Sequence, residues 1–229
     1  RTTGDPKYLS LDALMEADII SLHVPLTRTG EDATYHLFDE RRLSAMKRGA
    51  TLINTSRGAV VESESLKRLL KAGHLHACVL DVWENEPMID CELLELTTIG
   101  TPHIAGYSHD GKLNATRMLQ EALSKFCGVP LDAPAQRQPD AKNRIVLPAG
   151  EPDAEKLLRH AVRACYDIRK DDQELRKMLT LPADERDDYF RHLRASYPVR
   201  REFHNFVLDG QALDLPTANL FRAMGFCVQ

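Results

Sequence analysis

From residue 9 to about residue 128, short apolar runs alternate with stretches whose apolar residues recur at helical spacing. Residues 10–15 suit one or two helical turns with Ser10 as N-cap. Residues 18–24 follow as an apolar strand ended by Pro25. The same alternation predicts a helix over 39–46 stopped by Gly49, a strand over 50–54, and an amphipathic helix over 62–72 closed by Gly73. It continues with a strand over 77–82, a short helix over 91–96, a short strand over 98–100 and a long helix over 110–126. That last helix carries Leu113, Met118, Leu119 and Leu123 on roughly one side. Near-continuous apolar strands alternating with helices predict a parallel sheet covered on both faces.

The pattern breaks over residues 128–140 (GVPLDAPAQRQPD), which are rich in Pro, Ala and polar residues and read as a linker. Beyond it the pattern predicts a strand over 144–147 and helices over 154–166, 172–179 and 183–195. A β-prone stretch at 203–208, a helix over 217–224 and a final short strand complete the chain. The fold class expected is α/β: an incomplete doubly wound (Rossmann-like) parallel sheet plus a small C-terminal α/β domain. The expected division is residues 1–128, a linker at 129–141, and a second domain at 142–229.

Composition narrows the function classes. The chain has 229 residues, 43% hydrophobic and 28% charged, with a formal net charge of -4. That charge gives no overall attraction to nucleic acid or an anionic membrane. The five cysteines (Cys78, Cys91, Cys127, Cys165, Cys227) are scattered without a CxxC, arguing against a disulfide framework and against a zinc site. No apolar stretch is long enough to span a bilayer. The expectation is a cytoplasmic protein with no metal, nucleic-acid or membrane partner.

Three polar groups follow predicted strands, where an α/β sheet presents functional side chains. The first is residues 54–58 (NTSRG), in which Arg57 offers a guanidinium fork to a carboxylate or pairs locally with Glu62. The second is residues 81–87 (DVWENEP), in which Asp81 emerges at a strand tip or belongs to a solvated acidic turn. The third is residues 101–107 (TPHIAGY), in which His103 lies between Pro102 and Gly106. Together they supply a cation for a carboxylate, an imidazole that titrates, and a carboxylate to orient it. Oxidation of a 2-hydroxy acid by hydride transfer needs those three roles.

HVPLT at 23–27, LINTSRGAVVE at 52–62, LDVWENEP at 80–87 and PHIAGY at 102–107 resemble successive signatures of the D-2-hydroxyacid dehydrogenases, in the same order and spacing. The resemblance implies that Arg57 binds the substrate carboxylate, that His103 exchanges the hydroxyl proton, and that Glu86 hydrogen-bonds the other ring nitrogen. It implies NAD as cofactor, with Asp81 facing the nicotinamide end and Val24, Thr55, Ser56, Arg57 and Gly106 approaching it. Tyr107 is implied as a substrate contact. Trp83, the Gly106–Tyr107 pair and the tail motifs at 165–172 (CYDIRKDD) and 200–203 (RREF) resemble the erythronate-4-phosphate branch of that family. The branch implies NAD-dependent oxidation of 4-phospho-D-erythronate in vitamin B6 synthesis, by a homodimer joined through its C-terminal domain. Arg200 or Arg201 is a weaker candidate for holding the substrate phosphate, beside the plainer reading of a charged surface pair. Two other readings stand alongside. One is a sibling dehydrogenase acting on phosphoglycerate or hydroxypyruvate; the other is a domain kept for dimerisation or cofactor sensing without turnover.

The sequence contains no GxGxxG, and its first residue is Arg1. The expectation is a chain truncated at its N-terminus, missing the pyrophosphate cradle and most of a substrate domain. Such a chain by itself is expected to bind NAD weakly or not at all and to expose apolar strand edges and one helix-deprived sheet face.

Overall fold

Along the chain run β1 (Ile19–Leu22), α1 (Glu40–Ala45), β2 (Thr51–Asn54), α2 (Ser63–Lys71), β3 (Ala77–Leu80), α3 (Cys91–Leu96), β4 (Ile99–Gly100) and α4 (His109–Cys127). Then follow β5 (Arg144–Ile145), α5 (Ala154–Cys165), α6 (Ile168–Arg176), α7 (Ala183–Ala195), β6 (Val207–Leu208), α8 (Leu215–Ala223) and β7 (Cys227–Val228). The structure, a computed structural model, describes residues 8–130, 143–210 and 213–229. Most of the predicted linker at 129–141 lies outside the described residues. Contacts divide the chain into two units: residues 1–105 with 169–197, and residues 106–168 with 198–229.

In the first unit β1 to β4 form one parallel sheet in chain order. Short crossovers explain the order, because each of α1, α2 and α3 returns the chain beside the strand it left. Local signals set the helix ends. Asp39 accepts from Arg42 N at 3.0 Å to cap α1, and Asp90 accepts from Leu93 N at 3.1 Å to cap α3. The register sets Ile20 beside Leu52 and Leu52 beside Cys78. Ile20, Leu22, Leu52, Asn54, Cys78 and Leu80 therefore share one buried face. That face joins Leu43 of α1, Leu66 of α2 and Leu93 and Leu94 of α3 in one apolar cluster.

Cover on both faces, the expectation from near-continuous apolar strands, is not what the described residues form; they leave the helix-deprived face also expected. The alternate positions of β1 to β3 are exposed or half-buried, and Ile19 is 63% exposed. An apolar run states that a strand avoids water, but not which neighbours supply the cover.

The contacts also divide the chain differently from the sequence pattern. Residues 169–197 were expected in the C-terminal domain, yet Leu175, Met178 and Phe190 lie buried in the cluster of the first unit. Polar contacts hold them there. Asp172 Oδ1 accepts from Gly100 N at 2.7 Å, and Arg176 donates to Leu94 O at 2.9 Å and Thr97 O at 2.8 Å. Thr97, the C-cap of α3, also donates to Leu94 O through its N–H and its hydroxyl, so Arg176 adds a further donor at that helix end. Residues 106–127, expected within 1–128 as a helix returning to another domain, belong to the second unit.

The second unit is built on a parallel sheet in the order β5-β6-β7. Ile145, Leu157, Ala161, Leu208, Phe221 and Phe226 form its core. Phe226 stacks on Phe203 at 4.6 Å and meets Phe221 edge-on at 5.6 Å. Asp110, in the first turn of α4, accepts from the Arg201 guanidinium at 2.9 Å, Glu202 N at 2.8 Å and Asn205 Nδ2 at 2.8 Å. No residue of α4 is buried, and Leu113, Met118, Leu119, Leu123 and Phe126 are all exposed. Among the described residues no helix is long and apolar enough to cross a membrane.

Two expected outcomes test this arrangement. Phe190→Ala removes a ring buried in the first unit and lowers its unfolding free energy by about 3–5 kcal/mol. Amide exchange in β2 and β3 should rise with it; unchanged exchange there would separate residues 169–197 from that core. For the second unit, burial opposes the charge of Asp110, but the Arg201 guanidinium and Glu202 N–H hold its carboxyl below the ordinary value. That stabilisation is present above the unfolded-state pKa of about 3.9 and is lost as pH falls through the lower folded value. Asp110→Asn should flatten this acid limb in pH-dependent unfolding, and a parent-like slope in the variant would remove Asp110 as its source.

Candidate active site

The carboxyl ends of β2, β3 and β4 each lead into a turn that carries one of the expected residues. At β2 the turn is organised by Asn54, which is buried. Its Oδ1 accepts from Ser56 N at 3.1 Å and Ser56 Oγ at 2.8 Å, and its Nδ2 donates to Arg57 O at 3.0 Å. Ser56 is thereby turned inward, while Arg57 stands exposed with Nη1 donating to Ser56 O at 2.6 Å. Glu62, the local partner considered for Arg57, accepts instead from Ser65 Oγ. Thr55 Oγ1 lies 3.5 Å from His23 Nδ1, one residue before Val24 on the loop leaving β1.

At β3 the structure excludes a solvated turn for Asp81, which is only 3% exposed. Its Oδ1 accepts from Thr101 Oγ1 at 2.7 Å and from Ile104 N at 2.7 Å, and Oδ2 accepts from Ala105 N at 3.0 Å. One buried carboxylate thus gathers the whole turn after β4. At the crest of that turn His103 has φ of 56°, a left-handed conformation uncommon outside Gly, Asn, Asp and His. The Asp81 side chain, expected to face a cofactor, is committed to holding this turn.

Glu86 and His103 come together. Glu86 Oε2 lies 2.7 Å from His103 Nδ1, with the side chains 19% and 30% exposed. Glu86 Oε1 accepts from Trp83 N at 2.9 Å, so the carboxylate is fixed at both oxygens. An ionised carboxylate only accepts, so Nδ1 carries the shared proton and Nε2 is left as the basic nitrogen. Trp83 is buried, and its Nε1 donates to Thr101 O at 3.0 Å, tying the β3 turn to the β4 turn again.

Three features of this region were not recognised from the sequence. Gly58 follows Arg57, and a Cβ there would lie 2.0 Å from Trp83 C and O and 2.5 Å from Glu84 N. The Arg57 turn therefore rests directly on the peptide that leads to Glu86. Glu84 Oε1 lies 2.7 Å from His36 Nε2, and Glu84 Oε2 accepts from Ser63 N at 2.9 Å at the start of α2. Burial raises the cost of its charge, but His36 and the Ser63 N–H together hold the Glu84 carboxyl below the usual range. The small residue beside Arg57 was visible as a sign of close approach; nothing in the spacing marked His36.

Gly106 and Tyr107 belong to the second unit, where Lys112 Nζ lies 4.2 Å above the Tyr107 ring. There Arg200 lies 4.6 Å above the Tyr166 ring, and Arg201 is held by the Asp110 carboxylate. Arg201 is thus engaged within its own unit. Among the described residues no group of three His, Cys, Asp or Glu could hold a metal ion.

Replacing Asp81 by Asn leaves one acceptor oxygen for three donors. Asp81→Asn should lower unfolding free energy by about 1–3 kcal/mol, the usual cost of an unpaired buried polar group. Faster exchange of the Ile104 and Ala105 amides should accompany it. An unchanged denaturation midpoint with those amides still protected would show that the turn does not depend on this carboxylate.

Residues 2–105 match the D-isomer specific 2-hydroxyacid dehydrogenase, NAD binding domain, and residues 139–225 match a domain of unknown function. The chain is 40% identical over 229 residues to an erythronate-4-phosphate dehydrogenase of Cellvibrio japonicus, covering 98% of this chain and 61% of that protein. It is 44% identical over 196 residues to one of Bacteroides fragilis, covering 85% and 52%. The chain therefore spans little more than half the length of these relatives. Among solved structures it is similar to D-mandelate dehydrogenase of Rhodotorula graminis, at 34% identity over 57% of this chain and 38% of that one, with a TM-score of 0.47. Over residues 2–105 the chain is similar to the D-isomer specific 2-hydroxyacid dehydrogenases.

Proposed function

We propose that this chain supplies the substrate-carboxylate and proton-exchange groups for NAD-dependent oxidation of 4-phospho-D-erythronate to 2-oxo-3-hydroxy-4-phosphobutanoate, a step in vitamin B6 synthesis. The observation that carries the reading is the 2.7 Å contact of Glu86 with His103 at the sheet end that also bears Arg57. The names of the relatives favour this substrate over phosphoglycerate or hydroxypyruvate.

The donor set near the ends of β1 and β2 suits the nicotinamide end of NAD. It comprises the Thr55 hydroxyl and backbone groups of Val24, Thr55, Ser56 and Arg57, with Gly106 a further backbone candidate. The sequence holds no GxGxxG to cradle a pyrophosphate. NAD, when bound, accepts the hydride that leaves C2 of the substrate. Arg57 offers two parallel N–H donors to the substrate carboxylate, which orients C2. His103 Nε2 accepts the hydroxyl proton as the C2–H bond breaks, leaving a C=O. Glu86, already paired with Nδ1, stabilises the imidazolium that results. Asp81 acts at one remove, through the turn that presents His103. Tyr107 is a candidate substrate contact.

Two copies of the chain, joined through the second unit, form the assembly in this reading. The uncovered Leu119 and Phe126 of α4, 74% and 89% exposed, support it. The scattered cysteines support a cytoplasmic setting.

Chemical-shift mapping tests the site without requiring turnover. NAD at high concentration should perturb the amides of Val24, Thr55 and Ser56, and 4-phospho-D-erythronate should perturb Arg57 and His103. Arg57→Ala should weaken the substrate response about 10²-fold, the equivalent of two charge-assisted hydrogen bonds at about 1.5 kcal/mol each. The NAD response should survive the substitution. Perturbations lying away from these loops, or a substrate response indifferent to Arg57, would overturn the assignment.

A further inference from the structure

Residues 83–86 form one short turn whose two carboxylates serve different partners. Glu86 binds Trp83 N and His103 Nδ1. Glu84 binds His36 Nε2 and Ser63 N. Between them Asn85 has φ of 60°, so the chain reverses at a residue type that tolerates the left-handed region. A turn of this kind has few backbone bonds of its own, and its conformation depends on what its side chains hold.

What Glu84 holds is itself well fixed. Ser63 N is among the first N–H groups of α2, which have no partner inside the helix and favour a negative charge. The side chain of Glu62, at the N-cap position of α2, makes no capping bond, so Glu84 fills that role from outside the helix. His36 has φ of 48°, donates its N–H to Ala59 O at 2.8 Å and stacks on Tyr35 at 4.0 Å. Phe38 N donates to Val60 O at 3.0 Å and Glu62 N donates to Phe38 O at 3.0 Å. The segment bearing His36 is therefore laced to the segment that follows Arg57. Glu84 joins these two segments to the turn that carries Glu86.

We propose that Glu84 is a positioning residue: by bridging His36 Nε2 and the first N–H of α2, it sets the 83–86 turn so that Glu86 meets His103 and imposes the Nδ1-protonated tautomer. It acts through Glu86 and touches neither substrate nor cofactor. The inference rests on reading His103 as the proton-exchanging group. Its test reads the imidazole directly, so the two can fail separately. Without the bridge, Asn85 and Glu86 sample other conformations and the carboxylate no longer selects one ring nitrogen.

Nitrogen-15 NMR of the His103 ring, with the proton spectrum of its Nδ1–H, distinguishes the outcomes. The parent protein should show one dominant tautomer and a slowly exchanging Nδ1 proton. Glu84→Ala and His36→Ala should both give a tautomer mixture and lose that proton resonance, as Glu86→Ala does. His36→Gln keeps an N–H donor for Glu84 and should restore the parent pattern. Amide protection in β2 and β3 serves as the folding control; should Glu84→Ala fail it, the two His36 variants decide alone. A parent-like tautomer in Glu84→Ala or His36→Ala would overturn the proposal. So would His36→Gln behaving like His36→Ala, since ring stacking on Tyr35 would then be the cause. If the tautomers respond as stated while 4-phospho-D-erythronate leaves His103 unperturbed, the positioning role stands and the substrate reading falls.

Discussion

A methyl group on residue 58 would sit 2.0 Å from the carbonyl of Trp83, closer than any pair of non-bonded heavy atoms tolerates. That absence of a side chain lets the turn after β2 lie on the turn after β3. The rest of the site depends on the contact. Arg57 is the residue before it, and Glu86 is three residues beyond Trp83. Trp83 is in turn held by the core and by Thr101 O, which belongs to the turn bearing His103. Three loops that could each have moved alone are thereby made one body, and a carboxylate, an imidazole and a guanidinium inherit its rigidity.

The site uses buried charge sparingly and in one pattern. Glu84 and Glu86 each accept from donors on two separate segments, and Asp81 at the end of β3 accepts from three donors of the turn after β4. A buried carboxylate is costly without such donors and rigid with them. Each therefore ties turns together where a parallel sheet offers no hydrogen bonds beyond its strand ends. Asp172 does the same for residues 169–197, reaching Gly100 N and Arg176. Only in this last case does the link join segments more than 70 residues apart, which is why the sequence pattern divides the chain in a place where the contacts do not.

Much of the site was legible in sequence because its chemistry is concentrated. Arg57 and His103 each follow a predicted strand, and only a few residue types can hold a carboxylate or exchange a proton; Glu86 was marked by the family resemblance alone. The glycine beside Arg57 carried a weaker signal, since Gly suits close approach in many places. His36 carried none: it lies in an irregular stretch 48 residues from Glu84, and a lone histidine has no periodicity to betray it. Asp81 was legible as a strand-tip acid, but not as one whose oxygens all turn back to the protein.

Sequence alone determined the alternation of strands and helices, the parallel class of the first sheet, and which residues carry the candidate chemistry. These follow from local causes: side-chain periodicity, capping groups and the residue types a reaction needs. Tertiary structure decided which sheet face is closed, which unit takes residues 169–197, and which turn the Asp81 carboxylate holds. Those outcomes depend on pairings between distant segments. A hydrogen bond or a buried contact is specified by where two groups meet in space, and a one-dimensional pattern states only that each group needs a partner.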